Sequence, residues 1–217
     1  MGTVNMLAER SRGPRLRADA SRNRERIVAA AREAFVEYGA EVTLDQIARR
    51  AGVGNATIYR HFADRSELNR QVTLEVINRI VELAESALDE RPDAFEALRY
   101  FVHGAAAERI GALCPMSSDG WETIAAELEE KRDRLARAVE AIMDRGRGEG
   151  LLRPDVSSGD IMIAITQLTR PLPGMGCLHL ERFFDRHLEL FLDGLRAPAR
   201  SVLPGAGATF ADLQRPH

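Results

Sequence analysis

The sequence predicts an all-α protein, and three observations carry that expectation. Alanine, leucine, arginine and glutamate dominate the 217 residues while aromatics make up only 6%, a balance that favours helices over sheets. Apolar residues recur at helical spacing along most of the chain, with no alternating strand pattern and no internal repeat. Glycine and proline clusters break that periodicity where helices would have to stop. Apolar residues at 45% and charged residues at 29% are ordinary for a globular protein. A membrane span needs about 18 apolar residues in a row, and none occurs. The Arg-dotted start lacks the apolar core of a secretory signal, and Cys114 and Cys177 are far apart. A reducing, cytoplasmic setting is therefore expected, rather than a disulfide scaffold.

Residues 1–21 contain Gly13, Pro14, Arg10, Arg12, Arg15 and Arg17 without apolar periodicity, and are expected to form a disordered basic arm. Ile27, Ala31, Ala34, Phe35 and Tyr38 then mark a helix over 22–38 that Gly39 stops. Thr43 and Gln46 form a capping-box pair that opens a short helix with Leu44, Ile47 and Ala48 on its buried face. Ala51-Gly52-Val53-Gly54 ends it, and another short helix follows at 55–61. Asp64 and Glu67 are a second capping-box pair. They open a long helix to Glu90 with Leu68, Val72, Val76, Ile80, Leu83 and Ala87 on one stripe. Arg91-Pro92 ends it, because a residue before proline avoids the helical region. Further helices are expected at about 93–110, 119–147, 158–170 and 180–196, and a frayed tail over 197–217.

Charge is unevenly spread. Residues 1–70 hold 13 arginines against 9 acids, whereas the remainder holds 17 basic residues against 24 acids. A basic front on an acidic body suits a chain whose first part meets phosphates, though chance asymmetry would look the same. The informative stretch is 22–70. Three short helices, the second and third joined through Gly52-Val53-Gly54, make a helix-turn-helix. Ala48, Ala51 and Gly52 allow close backbone approach at the turn, while Val53 and Ile58 plug the small core. The third helix then turns Asn55, Ala56, Thr57, Tyr59, Arg60 and His61 outward. Asparagine and arginine can read base edges, alanine packs on thymine methyl groups, and Thr, Tyr and His can bond phosphate oxygens. Other readings stay open: Asn55 as an N-cap, Tyr59 with its ring packed, His61 as a helix end, and the arginine arm as a solvated tail.

Thr43-Leu-Asp-Gln-Ile-Ala-Arg-Arg-Ala-Gly-Val-Gly-Asn-Ala-Thr-Ile-Tyr-Arg-His-Phe62 resembles the signature of the TetR family, as do Arg65-Ser-Glu-Leu68 and the helix from Ile27 to Tyr38-Gly39. The resemblance covers about 50 residues. It implies a dimeric transcriptional regulator, usually a repressor, that binds a palindromic operator in double-stranded DNA and leaves it when an unidentified small-molecule effector binds. By position, Asn55, Ala56 and Arg60 resemble base-reading residues. Thr43, Thr57, Tyr59, His61 and Arg65 resemble phosphate contacts, and Arg22, Arg24 and Arg26 are placed to grip the backbone or a minor groove. Gly54 departs from the polar residue many members carry there, which removes a side-chain cap.

The resulting division is 1–21 as the arm, 22–68 as the DNA-binding domain, 69–196 as a helical ligand-binding and dimerisation domain, and 197–217 as a flexible tail. Candidate ligand-lining residues are Phe101, His103, Met116, Trp121, Ile124, Met143 and Gln167. At helical spacing each reads more readily as plain core than as a ligand wall, and His103 as a structural histidine. The last two helices are expected to expose Ile161, Ile165 and Leu168 on one and Phe184, Leu188, Phe191 and Leu195 on the other as an isologous dimer interface. Cys177 and His179 lack further ligands, so no metal or other cofactor is expected. The competing classes are a helical-bundle enzyme, for which no nucleophile or acid–base pair stands at recognisable spacing, and a ligand-independent architectural DNA binder.

Overall fold

A computed structural model describes residues 12–39, 42–109, 125–170 and 183–213. It is helical as expected, and among the described residues no strand forms. The helices are α1 (Arg12–Tyr38), α2 (Leu44–Ala51), α3 (Asn55–His61), α4 (Arg65–Glu90), α5 (Ala94–Ala107), α6 (Ala125–Gly148), α7 (Ser158–Thr169), α8 (Phe184–Gly194) and α9 (Phe210–Leu213). The chain divides into two units, Met1–Val72 and Thr73–His217.

In the first unit, α1 begins at Arg12 rather than near residue 22, so the second half of the expected arm is helical. Its apolar stripe, Ile27, Val28, Ala31, Ala34 and Phe35, is buried with Val42, Ile47, Ala48, Ala51, Ile58, Phe62, Leu68 and Val72. Tyr38 shares the spacing of that stripe but lies half exposed, its ring beneath the Arg50 guanidinium. Gly39, at φ +69°, adopts the left-handed conformation that ends α1.

In the second unit α5 is the central element, packed against α6, α7 and α8. Its Phe95, Leu98, Phe101, Val102 and Ala105 are buried together with Val139, Ile142 and Met143 of α6, Ile161 and Ile165 of α7, and Leu188 and Leu192 of α8. Gly104 lets α5 approach Leu83 of α4, since a Cβ there would stand 2.9 Å from its methyl carbons. The end of α4 is closed by Arg145 of α6, which donates to the carbonyls of Leu88 (3.4 Å) and Pro92 (2.9 Å).

The expected frayed tail is instead held down through residue 213. Arg153, only 5% exposed, donates to Gly194 O (3.2 Å) and Ser201 O (2.7 Å) and pairs with Asp155. Further on, Ala208 N donates to Asp160 Oδ1 at 3.0 Å. Gly159 and Gly207 permit this close passage: a Cβ on Gly159 would sit 2.3 Å from Ala208 O, and one on Gly207 2.4 Å from Ser157 Oγ. Composition suggested fraying, but a buried guanidinium supplies the backbone partners that a Pro/Gly-rich segment cannot supply itself.

The hydrogen bonds from Arg153 hold the Asp155 carboxyl down from 3.8 to about 2. A depressed carboxylate stabilises the fold fully above its unfolded value and loses that contribution as pH falls towards the folded one. The strap should therefore stay protected from neutral pH to about pH 4 and loosen between there and about pH 2. Arg153→Met should release it at neutral pH, read as faster limited proteolysis within 197–213; unchanged cleavage would show that Arg153 does not clamp it.

Candidate nucleic-acid interface

The site is built on α2, the turn and α3. Thr43 closes a capping box with Gln46: its hydroxyl accepts from Gln46 N (3.3 Å) and donates to Gln46 Oε1 (2.9 Å), and its own N–H donates to the same oxygen (2.7 Å). Such caps contribute about 1 kcal/mol. They also engage the Thr43 hydroxyl at the head of α2. Gly52, at φ +64°, ends α2 in the left-handed conformation, and Val53 N returns to Ala48 O at 3.0 Å. Gly54 is the N-cap of α3 and offers no side-chain bond. Asn55 is consequently the first helical residue and not the cap.

Two arginines of α1 brace this motif from behind. Arg26 donates to Ala51 O at 2.6 Å, at the end of α2. Arg24 donates to His61 O at 2.9 Å, at the end of α3, and lies over the Phe62 ring at 4.5 Å. Both act at helix C-termini, where cations are favoured. Arg24 thus has a role in the fold that its reading as a DNA contact did not include. Arg22, one turn earlier, is exposed and paired with Asp19. Arg50 of α2 is paired with Glu37 of α1, whose carboxyl is held below its ordinary range by hydrogen bonds first from Tyr38 and then from Arg50.

On α3, Ile58 is buried at 1% exposure, as is Phe62 just beyond. The opposite face carries Asn55, Ala56, Tyr59 and Arg60, all exposed, with Thr57 and His61 half-buried beside them. Tyr59 is 56% exposed, so its ring is not packed in the core. The amide of Asn55 donates to Asp45 Oδ1 of α2 at 2.6 Å, a pairing across ten residues that no local pattern signals. At the start of α4, Glu67 N donates to Asp64 Oδ1 (2.8 Å), while the Glu67 carboxylate accepts from Ala63 N (2.7 Å). Arg65 lies half-buried in that first turn.

Four of the seven ligand-lining candidates lie among the described residues. Phe101 and Met143 are fully buried core residues, whereas Gln167 is exposed. His103 is a structural histidine: Nε2 lies 2.7 Å from Glu189 Oε1, which also accepts from Arg99 at 2.8 Å. Met116, Trp121 and Ile124 lie outside the described residues, as do Cys177 and His179. Among the described residues no group of three His, Cys, Asp or Glu side chains could hold a metal ion, and no helix is long and apolar enough to cross a membrane.

The expected dimer face also divides. Ile161, Ile165, Leu188 and Leu195 are covered by their own chain, so they are not an exposed face. Leu168, Phe184 and Phe191 are half-buried, with Arg109 over the Phe184 ring at 4.6 Å. The large apolar residues that do stand in solvent on these helices are Ile163 of α7 and Leu190 of α8, with Phe183 beside α8.

A buried-backed short helix with a polar outer face, set after a capped helix and a glycine turn, defines a helix-turn-helix DNA-binding protein. Residues 27–72 match the family described as bacterial regulatory proteins, tetR family. The crystal structure of a TetR transcriptional regulator from Streptomyces coelicolor is similar at 30% identity and a TM-score of 0.59, over 81% of this chain and 99% of that one. That of a TetR regulatory protein from Mycobacterium vanbaalenii is similar at 28% and 0.56, over 84% and 99%. An HTH-type transcriptional regulator from Staphylococcus aureus (strain bovine RF122) is 33% identical over 85 residues, 39% of this chain and 46% of its own length. The chain thus spans less than half the length of the curated relatives it matches. It belongs to the TetR family of transcriptional regulators.

Proposed function

We propose that this regulator is a repressor that binds a palindromic operator as a homodimer and releases it when a small molecule binds the second unit. Asn55, Ala56 and Arg60 read base edges in the major groove, and Thr57, Tyr59, His61, Arg65 and Arg22 meet phosphates. The observation that carries this reading is the division of α3 into a buried Ile58 side and an exposed side of Asn55, Ala56, Tyr59 and Arg60. Only such a helix can enter a groove without disturbing its own core.

Two copies are held together by α7 and α8 through Ile163, Leu190 and Phe183, with the half-buried Leu168 and Phe191 completing the patch. The exposure of Ile163, Leu190 and Phe183 supports this assembly. Release travels through α4, whose 26 residues run from the helix-turn-helix into the second unit. A ligand acts only as far as it prefers the non-binding arrangement.

Selection from random duplexes should return an inverted repeat with half-sites about 34 Å apart. Recovery without sequence preference would overturn operator recognition. A gel-shift screen of small metabolites should then find a compound that frees the operator; one that binds tightly without freeing it would refute the release mechanism.

A further inference from the structure

We propose that Asp45 is a positioning residue that sets which bases Asn55 can accept, an inference that rests on the operator-reading role given to α3 above. Asp45 stands in the first turn of α2, where a carboxylate is favoured by the helix N-terminus. Its Oδ1 accepts a hydrogen bond from Asn55 Nδ2 at 2.6 Å, and both side chains lie on the exposed side of the motif.

An asparagine amide has one acceptor end and one donor end, and a half-turn about its last torsion exchanges them. A carboxylate accepts only, so it repels the amide oxygen and attracts the amide nitrogen. Asp45 therefore removes one of the two orientations. Asn55 Oδ1 is left outward, together with the second N–H. That outward edge matches adenine, which offers the N6 donor beside the N7 acceptor, and tolerates cytosine through N4. It mismatches guanine and thymine, whose major-groove edges offer only acceptors. Asp45 also places a negative charge beside the groove-facing helix, which weakens attachment to any duplex regardless of sequence. Both effects raise the ratio of specific to non-specific binding.

The test is duplex selection and competition binding with the full chain and three variants, Asp45→Ala, Asp45→Asn and Asn55→Ala, each checked for helicity by circular dichroism. Asn55→Ala should flatten preference at one position of each half-site. Asp45→Ala should admit guanine or thymine at that same position, lowering its discrimination by about 5-fold or more, and should tighten non-specific binding. Asp45→Asn preserves size and guards against a folding loss; its amide can turn either way, so it should relax the same position. An unaltered base distribution there in both Asp45 variants, or a uniform loss at all positions, overturns the proposal. If Asn55→Ala changes no position, it is base reading by Asn55 that fails, and the Asp45 inference falls with it.

Discussion

Replacing Phe62 by alanine is expected to remove most of the stability of the helix-turn-helix unit. Phe62 is 1% exposed and follows α3, its N–H donating to Ile58 O at 2.9 Å. Its ring lies beneath the Arg24 guanidinium, which closes α3 through His61 O. Removing a buried phenylalanine costs about 3–5 kcal/mol. Losing the stacking partner of Arg24 adds up to about 1 kcal/mol. Whole domains hold only about 5–15 kcal/mol in reserve, so the loss is a large share of what the unit can hold. Phe62→Leu should recover much of the loss, because it refills the volume without the ring face. Thermal unfolding followed by circular dichroism tests this, and a loss below about 1 kcal/mol would contradict the packing described.

The other large effect is expected on DNA and not on the fold. Arg60→Ala should weaken operator binding by about 1–3 kcal/mol in each half-site, the worth of a bidentate base contact. Over two half-sites that is roughly 30-fold to 20,000-fold in affinity. Arg60 is exposed, so thermal stability should move by no more than about 0.5 kcal/mol. The loss should fall mainly on the cognate sequence, since base contacts carry the discrimination. Tyr59→Ala should instead weaken all duplexes alike, because a hydroxyl on a phosphate carries no sequence information. Full affinity in both variants would refute α3 as the recognition helix.

Much of the first unit was legible in the sequence because its signals are local. The Thr43–Gln46 box, the Gly52 stop and the alternation of Ile58 with exposed neighbours all lie within one or two turns of helix. Hydrophobic periodicity likewise located the long stripe of α4, where only Leu83 is less than fully buried among the residues expected inside. What the sequence leaves out is set by long-range partners. Arg24 and Arg26 read as residues that grip DNA at the opening of the first helix, yet they also meet carbonyls 37 and 25 residues away. Nothing in a single sequence pairs a guanidinium with a distant helix end.

The same limit explains the second unit. Ile161, Ile165, Leu188 and Leu195 have the spacing of buried faces, and they are buried, but by their own chain. Periodicity states that a face must be covered and not what covers it. The sequence by itself determined the helical class, the order of the helices as far as α8, the capped turn and the outward polar edge of α3, since each follows from backbone preference and side-chain period within a few residues. Only the tertiary structure decided that Arg24 closes α3, that Asp45 holds Asn55, that His103 sits in an ion cluster and that residues 197–213 are strapped down. Those outcomes depend on which polar groups the tertiary fold brings together from distant parts of the chain, and a single residue's propensity does not specify its partner.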